Sequence, residues 1–161
     1  MKDYLKINLL KSKHLNSDKV IRIWLKITQE GCSVLGVLSS PIKTKVNNVF
    51  IHVINLKESA EWYSNLLGIP FDPDKVESPV YNIPVTSETG LSLDDHTFDP
   101  GFNLNPSDHV LFNFLVDDVE EAYTFVKSKG ITITREIERI GDFAYFNFRD
   151  PDGNVLMICN C

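Results

Sequence analysis

Two stretches of this chain lie over one another: VINLKESAEWYSNLLG (53–68) and LVDDVEEAYTFVKSKG (115–130). With a one-residue gap, Asn55 falls on Asp118, Trp62 on Phe125 and Gly68 on Gly130. Each stretch ends a β-branched, aromatic run and begins a segment with helical apolar spacing. Asn55 and Asp118 stand where a side-chain oxygen caps a helix N-terminus, and Gly68 and Gly130 where a glycine closes one. Such a repeat restricts the chain to two similar strand–helix units, too few for a solenoid.

The text around the repeat completes each unit. In the first, strand 47–56 is followed by helix 57–68 and by short strands at 78–85 and 90–96. In the second, strand 109–119 is followed by helix 120–130 and strands at 131–140, 142–150 and 154–159. The segment 97–108 is rich in Pro, Gly, Asn and Asp and reads as the linker between units. Asp150-Pro151-Asp152-Gly153 is a tight turn, because proline presets φ and glycine takes the left-handed position. Trp62 and Tyr63 fall on the buried stripe of the first helix and are expected in the core. The predicted class is α+β: two β-α-β-β-β repeats forming curved mixed sheets around a cavity, plus an N-terminal arm. Domain bounds are 1–45 for the arm and 46–161 for the body, with units at about 46–97 and 108–161.

The arm is less legible. VIRIWLKI (20–27) alternates like a half-exposed strand, and GCSVLGVLSSPIK (31–43) reads as a connector. Charge is divided unevenly. Residues 1–46 carry nine Lys/Arg against three Asp/Glu, and residues 47–161 carry seven against nineteen. A basic arm could touch nucleic acid, but no zinc-finger, RGG or helix-turn-helix signature accompanies it, so nucleic acid is not an expected partner. No apolar run is long enough for a membrane helix, and no secretory leader is evident. The three cysteines have no CxxC spacing, which suits reduced thiols and a cytoplasmic setting. Cys159 and Cys161 would suit a soft metal, but terminal strand positions explain them more simply.

ExxxWYxxLLG in the first unit and FRDPDGN in the second resemble the vicinal oxygen chelate superfamily, which includes glyoxalase I, bleomycin-resistance proteins and extradiol dioxygenases. The resemblance covers residues 46–161 and implies U-shaped sheets, a cavity and often a homodimer. Metal-dependent members place four ligands in that cavity, and the matching positions here are Asn48, Asp94, Leu111 and Met157. Leucine cannot ligate, and a thioether is a poor donor to hard or borderline divalent ions. Met157 also cannot serve as the base that glyoxalase chemistry needs. The resemblance therefore implies no resident cofactor of the usual kind, with a divalent metal left as the alternative.

Strand alternation lists the side chains expected to line the cavity: Asn48, Phe50, His52, Asp94, His109, Leu111, Asn113 and Met157. His52 and Asp94 are the candidate catalytic pair, as a base and its orienting carboxylate. Together with His96 and His109 they also form a possible displaced metal set. Each histidine has a plainer explanation as a hydrogen-bonded pocket residue or a solvated strand end. Three functions stay open. The first is a metal-free small-molecule binder of the bleomycin-resistance type. The second is a lyase, isomerase or dioxygenase with a displaced divalent metal. The third is an interaction module using the arm. The sequence does not decide whether the protein is an enzyme.

Overall fold

The computed structural model describes residues 40–160 in full. Before them it gives the backbone of three strands, β1 (Leu5–Lys6), β2 (Arg22–Thr28) and β3 (Gly31–Leu38). The side chains of residues 1–39, and Cys161, lie outside the described residues, so the readings placed on them cannot be followed further. The chain divides into two compact units, Met1–Lys45 and Val46–Cys161. The first is an antiparallel sheet in the order β1-β2-β3. The connector expected at 31–43 is thus largely strand β3. Antiparallel pairing to β2 satisfies its backbone groups despite its glycines.

In the second unit the strand–helix order occurs twice. β4 (Asn48–His52), α1 (Leu56–Leu67), β5 (Val80–Ile83) and β6 (Gly90–Asp94) form the first half. β7 (Asn113–Leu115), α2 (Val119–Ser128), β8 (Ile133–Ile140), β9 (Phe143–Arg149) and β10 (Val155–Cys159) form the second. The sheets run β4-β6-β5 and β7-β10-β9-β8. In each, the first strand lies parallel to the last, and the other pairs are antiparallel. The α+β class expected from the sequence is what the chain adopts. The first half has three strands to the second's four, because Pro70, Pro73 and Pro79 interrupt the segment after α1. That segment makes only a 3-10 turn at Pro73–Lys75.

Both helix starts follow the expected caps. The Asn55 side chain accepts from Glu58 N at 3.3 Å, and that of Asp118 from Glu121 N at 3.0 Å. α1 ends on Gly68 at φ 66°, a left-handed position that a glycine occupies without strain.

One face of each sheet is core. Ile51, Leu91, Leu93 and Ile83 supply it from the first sheet, and Phe146, Phe148, Leu156 and Ile158 from the second. Trp62 of α1 packs on Phe148 and Tyr123 of α2 on Phe146, with ring centroids 6.5 and 5.3 Å apart. Each fully buried aromatic contributes roughly 2–3 kcal/mol of transfer free energy. The opposite face of the first sheet carries Asn48, His52, Asn82 and Ser92, whereas on β10 the alternates are Val155, Met157 and Cys159.

The turn after β9 joins the halves. Asp150 accepts from Asn154 N at 2.8 Å, and its other oxygen accepts from the Tyr63 hydroxyl at 2.8 Å and from Asn154 Nδ2 at 2.9 Å. Asp152 accepts from Ile54 N and from the Ser59 hydroxyl, both at 2.8 Å, beside the positive end of α1. Asn154 Nδ2 also donates to the His52 carbonyl at 3.3 Å. Gly153, at φ 93°, lies close to Pro106: a Cβ there would stand 3.4 Å from that ring.

Burial raises the Tyr63 pKa well above its ordinary value of 10.0, and the adjacent Asp150 charge raises it further. The folded chain therefore keeps this proton where the unfolded chain loses it. Its stabilising contribution is complete below pH 10.0 and is lost as pH rises through the folded pKa. Tyr63→Phe should cost about 1–3 kcal/mol at neutral pH, because a buried carboxylate loses a donor. Urea unfolding curves should also show a shallower fall of stability above pH 10.0 in this variant than in the parent.

Candidate functional site

The non-core face of β4-β6-β5 carries most of the chemistry. Alternation along β4 sends Ile51 to the core and Asn48, Phe50 and His52 to the other face. Register sets Asn48 beside Gly90, Phe50 beside Ser92 and His52 beside Asp94, with Val80 and Asn82 flanking on β5. Asn48 Nδ2 donates to Ser92 Oγ at 2.6 Å, and the Ser92 hydroxyl donates to Asn82 Oδ1. This polar line crosses all three strands. Phe50 beside it is 55% exposed.

At the end of β6 the chain turns sharply. Asp94 is buried, and its Oδ1 accepts from His96 N at 2.8 Å. His96 has φ 52°, which is strained for a residue with a side chain, at a cost of order 1 kcal/mol. The turn is braced by Asp95 N donating to the Pro79 carbonyl at 3.0 Å and by the Ser78 hydroxyl on the Asp95 carboxylate. Val53 N donates to the Asp94 carbonyl at 3.0 Å.

The result is a compact cluster. His96 Nδ1 lies 3.0 Å from Asp94 Oδ2, and His52 Nε2 lies 4.0 Å from the same oxygen. The donor atoms of His52, Asp94 and His96 all fall within 4.8 Å of one another. Although His96 Nδ1 is within ion-pair distance of Asp94, the pair is misaligned for a hydrogen bond. That leaves Nδ1 a buried atom with no hydrogen-bond partner. Aromatic rings wall the cluster. The Phe102 centroid is 3.9 Å from that of His96 and 5.1 Å from that of His52, and Phe98 is 4.8 Å from His96.

The other expected site residues lie on or near the second sheet. Met157 is half-buried, paired in register with Asn113 on one side and Asn147 on the other. Asn113 Nδ2 donates to Cys159 Sγ at 3.0 Å. β7 begins only at Asn113, so Leu111 and His109 precede the strand that was expected to carry them. Leu111 still donates its N–H to the Val155 carbonyl at 3.0 Å, but its side chain is 42% exposed. His109 is exposed and held by a local turn, its N–H donating to Ser107 Oγ at 3.1 Å. The Ser107 turn, the Pro106 contact with Gly153 and the Asn154 bond to Ser107 N tie this segment down before the ladder can begin.

The structure thus brings His52, Asp94 and His96 together, and places Asn48 on the same face through Ser92. The sequence groups His96 with Asp94 as metal-type donors, and the structure makes the contact through a turn, because β6 ends at Asp94. Phe98 and Phe102 went unnoticed as walls because they sit in the linker, where spacing carries no facing information. A hollow of about 240 Å³ lies elsewhere, lined by Leu66, Leu67, Phe114, Leu115, Phe125 and Val126 near the end of α1. Its walls are apolar and hold none of the expected site residues.

The four positions implied for a metal by the sequence resemblance do not make a divalent site. Asn48 offers only a neutral amide oxygen, Leu111 has no donor and Met157 offers only sulfur. Only Asp94 brings a charged oxygen. The donors that could hold an ion are instead His52, Asp94 and His96.

The chain matches the profile of the Glyoxalase/Bleomycin resistance protein/Dioxygenase superfamily over residues 45–158. Among solved structures, a glyoxalase/dioxygenase from Nostoc punctiforme aligns with a TM-score of 0.57 and 22% identity, covering 80% of this chain and 98% of that one. A lactoylglutathione lyase from Agrobacterium tumefaciens aligns at 0.53 and 16%, covering 75% and 96%. The oxidase ChaP-H1 aligns at 0.54 and 20%, covering 74% and 97%. These likenesses are of fold. None of the curated proteins matches the chain in sequence. No helix among the described residues is long and apolar enough to cross a membrane.

Gly90 offers a direct check of the polar line. A Cβ there would stand 2.3 Å from Asn48 Oδ1, so Gly90→Ala must push the Asn48 amide off Ser92. The expected loss is about 1–3 kcal/mol in chemical denaturation. In the double variant with Asn48→Ala the losses should sum to less than the two singles, because the displaced group is gone.

Proposed function

Because the chain belongs to the glyoxalase/bleomycin resistance protein/dioxygenase superfamily, we propose that it binds a small molecule on the open face of β4-β6-β5, without the four-ligand metal site of metal-dependent members. The observation that carries this reading is the composition of that face. The fixed polar line Asn48–Ser92–Asn82 and the side chains of His52 and Asp94 stand beside exposed Phe50 and the rings of Phe98 and Phe102. Apolar walls with a few oriented polar groups are what small-molecule sites consist of. Asp94 and Asp95 make the end of the face acidic, which favours a neutral or cationic aromatic molecule over an anion. His52 is the anchor to which we assign the ligand's polar group. Asn113, Leu111 and Met157 belong to a second, flanking surface, and His109 stands at its exposed edge.

A second reading, an enzyme of the lyase, isomerase or dioxygenase kind, is favoured by the convergence of His52, Asp94 and His96. Both readings use the same face. We take the two strand–helix halves as an internal duplication, and the cysteine usage as suited to the cytoplasm. A homodimer is part of the proposal, since Phe50, Leu111 and Leu115 are 55%, 42% and 70% exposed and a second copy would cover such residues.

Two measurements test the proposal. In titrations of the chelator-treated chain with bleomycin, catechol and the glutathione–methylglyoxal hemithioacetal, saturable amide shifts should centre on Phe50, His52 and Ser92 for at least one probe. His52→Ala should weaken that binding about tenfold, as loss of a good polar anchor does. Shifts confined to Leu115 and Phe125, or none with any probe, would sink the reading. In light scattering, the full chain should weigh twice the monomer, and a chain starting at Thr44 should show whether the arm contributes. A monomeric full chain would remove the dimer from the proposal.

A further inference from the structure

We propose that His52, Asp94 and His96 bind one divalent first-row transition ion, in a set that shares only Asp94 with the four positions implied by the resemblance and draws its other two donors from histidines that stand at none of them. The protein ligands are His52 Nε2, Asp94 Oδ2 and His96 Nδ1, with the remaining positions open to water or to an oxygen of a bound molecule. The ion site deepens the small-molecule reading and, as the anchor of such a molecule, rests on it. The ion's own binding does not.

Donor chemistry comes first. Two imidazoles and one carboxylate match iron(II), cobalt(II), nickel(II) and zinc, and a three-ligand set leaves coordination positions free. The soft donors Met157 and Cys159 stand on β10 of the other sheet and are not part of the cluster. Geometry comes second. Two atoms bound to one ion at ~2.1 Å stand ~3.0–4.2 Å apart. The His96–Asp94 and His52–Asp94 separations are 3.0 and 4.0 Å, and all three donors lie within 4.8 Å. The His52 side chain is 42% exposed and its ring makes no hydrogen bond to Asp94, so ring rotation can bring it closer.

The third argument is the buried His96 Nδ1. Buried polar atoms in folded chains are almost always satisfied, and this one has no hydrogen-bond partner although a carboxylate oxygen is 3.0 Å away. A cation between the two would satisfy both. Preorganisation is the fourth. Asp94 Oδ1 is already occupied by His96 N, so Oδ2 is the oxygen presented to both rings. The left-handed His96 backbone and the Asp95 contacts to Pro79 and Ser78 fix this turn, and Phe102 packs against both imidazoles. A low-dielectric wall strengthens the attraction of a cation to Asp94.

The test uses the full chain, stripped with a chelator and titrated with cobalt(II) and zinc alone. Bound metal is measured by plasma mass spectrometry after gel filtration, and cobalt coordination by visible absorption. One ion per chain is expected, with cobalt bands of a nitrogen–oxygen site and no thiolate charge transfer. His52→Ala and His96→Ala should each weaken binding by more than the ~10–100-fold that outer-shell partners alone cost. Asp94→Asn should do the same. If that buried variant fails to fold, His52→Ala still decides, because its ring is half-exposed, makes only edge contacts to His96 and Phe102, and leaves the buried Asp94–His96 turn intact. No ion above background, thiolate bands, or unchanged binding in both histidine variants would overturn the site. Metal binding without probe shifts on the chelator-treated chain would leave this inference standing and sink the metal-free ligand reading. Probe shifts without metal binding would do the opposite.

Discussion

The contact on which the rest depends is the Asp150–Asn154 turn seated on α1. It links the last strand pair of the second half to the first helix and strand of the first half through Tyr63, Ser59, Ile54 and the His52 carbonyl. Two carboxylates carry most of it. Asp150 is buried, and its desolvation raises its pKa against the opposing hydrogen bonds from Asn154 and Tyr63. A buried acid held this way is costly to leave unpaired, which makes the turn specific: few other placements of the loop would offer it three donors. Asp152 gains from the helix N-terminus, where exposed backbone N–H groups favour negative charge.

The consequence for the site is positional. Asn154 grips the backbone of His52, so the end of β4 is held from behind while its side chain faces outward. On the other side, β6 is locked to β4 in parallel register, and Val53 N caps the Asp94 carbonyl. His52 and Asp94 are therefore presented by strand ends, the part of a sheet where side chains have both support and open space. Function in such a place can change by exchanging one or two side chains while the core behind them stays intact.

Much of this was legible in the sequence, for local reasons. Asn55, Asp118 and Gly68 act within one turn of chain, so their chemistry names their role. Core strands were readable because alternation is enforced by burial. What was not legible depends on contacts distant in sequence or on a single unusual dihedral. Nothing in Tyr63 announces that its hydroxyl meets Asp150, 87 residues away. Nothing in DDH announces that the histidine folds back at φ 52° to face the aspartate two residues earlier. The strand expected from 109 begins only at Asn113: the Ser107–His109 bend occupies its start, and Leu111 and Phe112 bond to β10 through the backbone without forming regular ladder.

The lack of donors at Leu111 and Met157 and the gathering of donors around Asp94 belong to one electrostatic argument. A carboxylate that is buried needs compensation, and at a four-ligand site the ion supplies it. Here Asp94 stands at its strand end, while the positions that the resemblance implies in the second half, Leu111 and Met157, are apolar. Its Oδ1 is compensated by the His96 N–H at 2.8 Å, and the His52 and His96 rings stand within 4.0 Å of its Oδ2. The cation proposed above would meet both rings and the carboxylate at once, because ligands of one ion need only converge on a point between them.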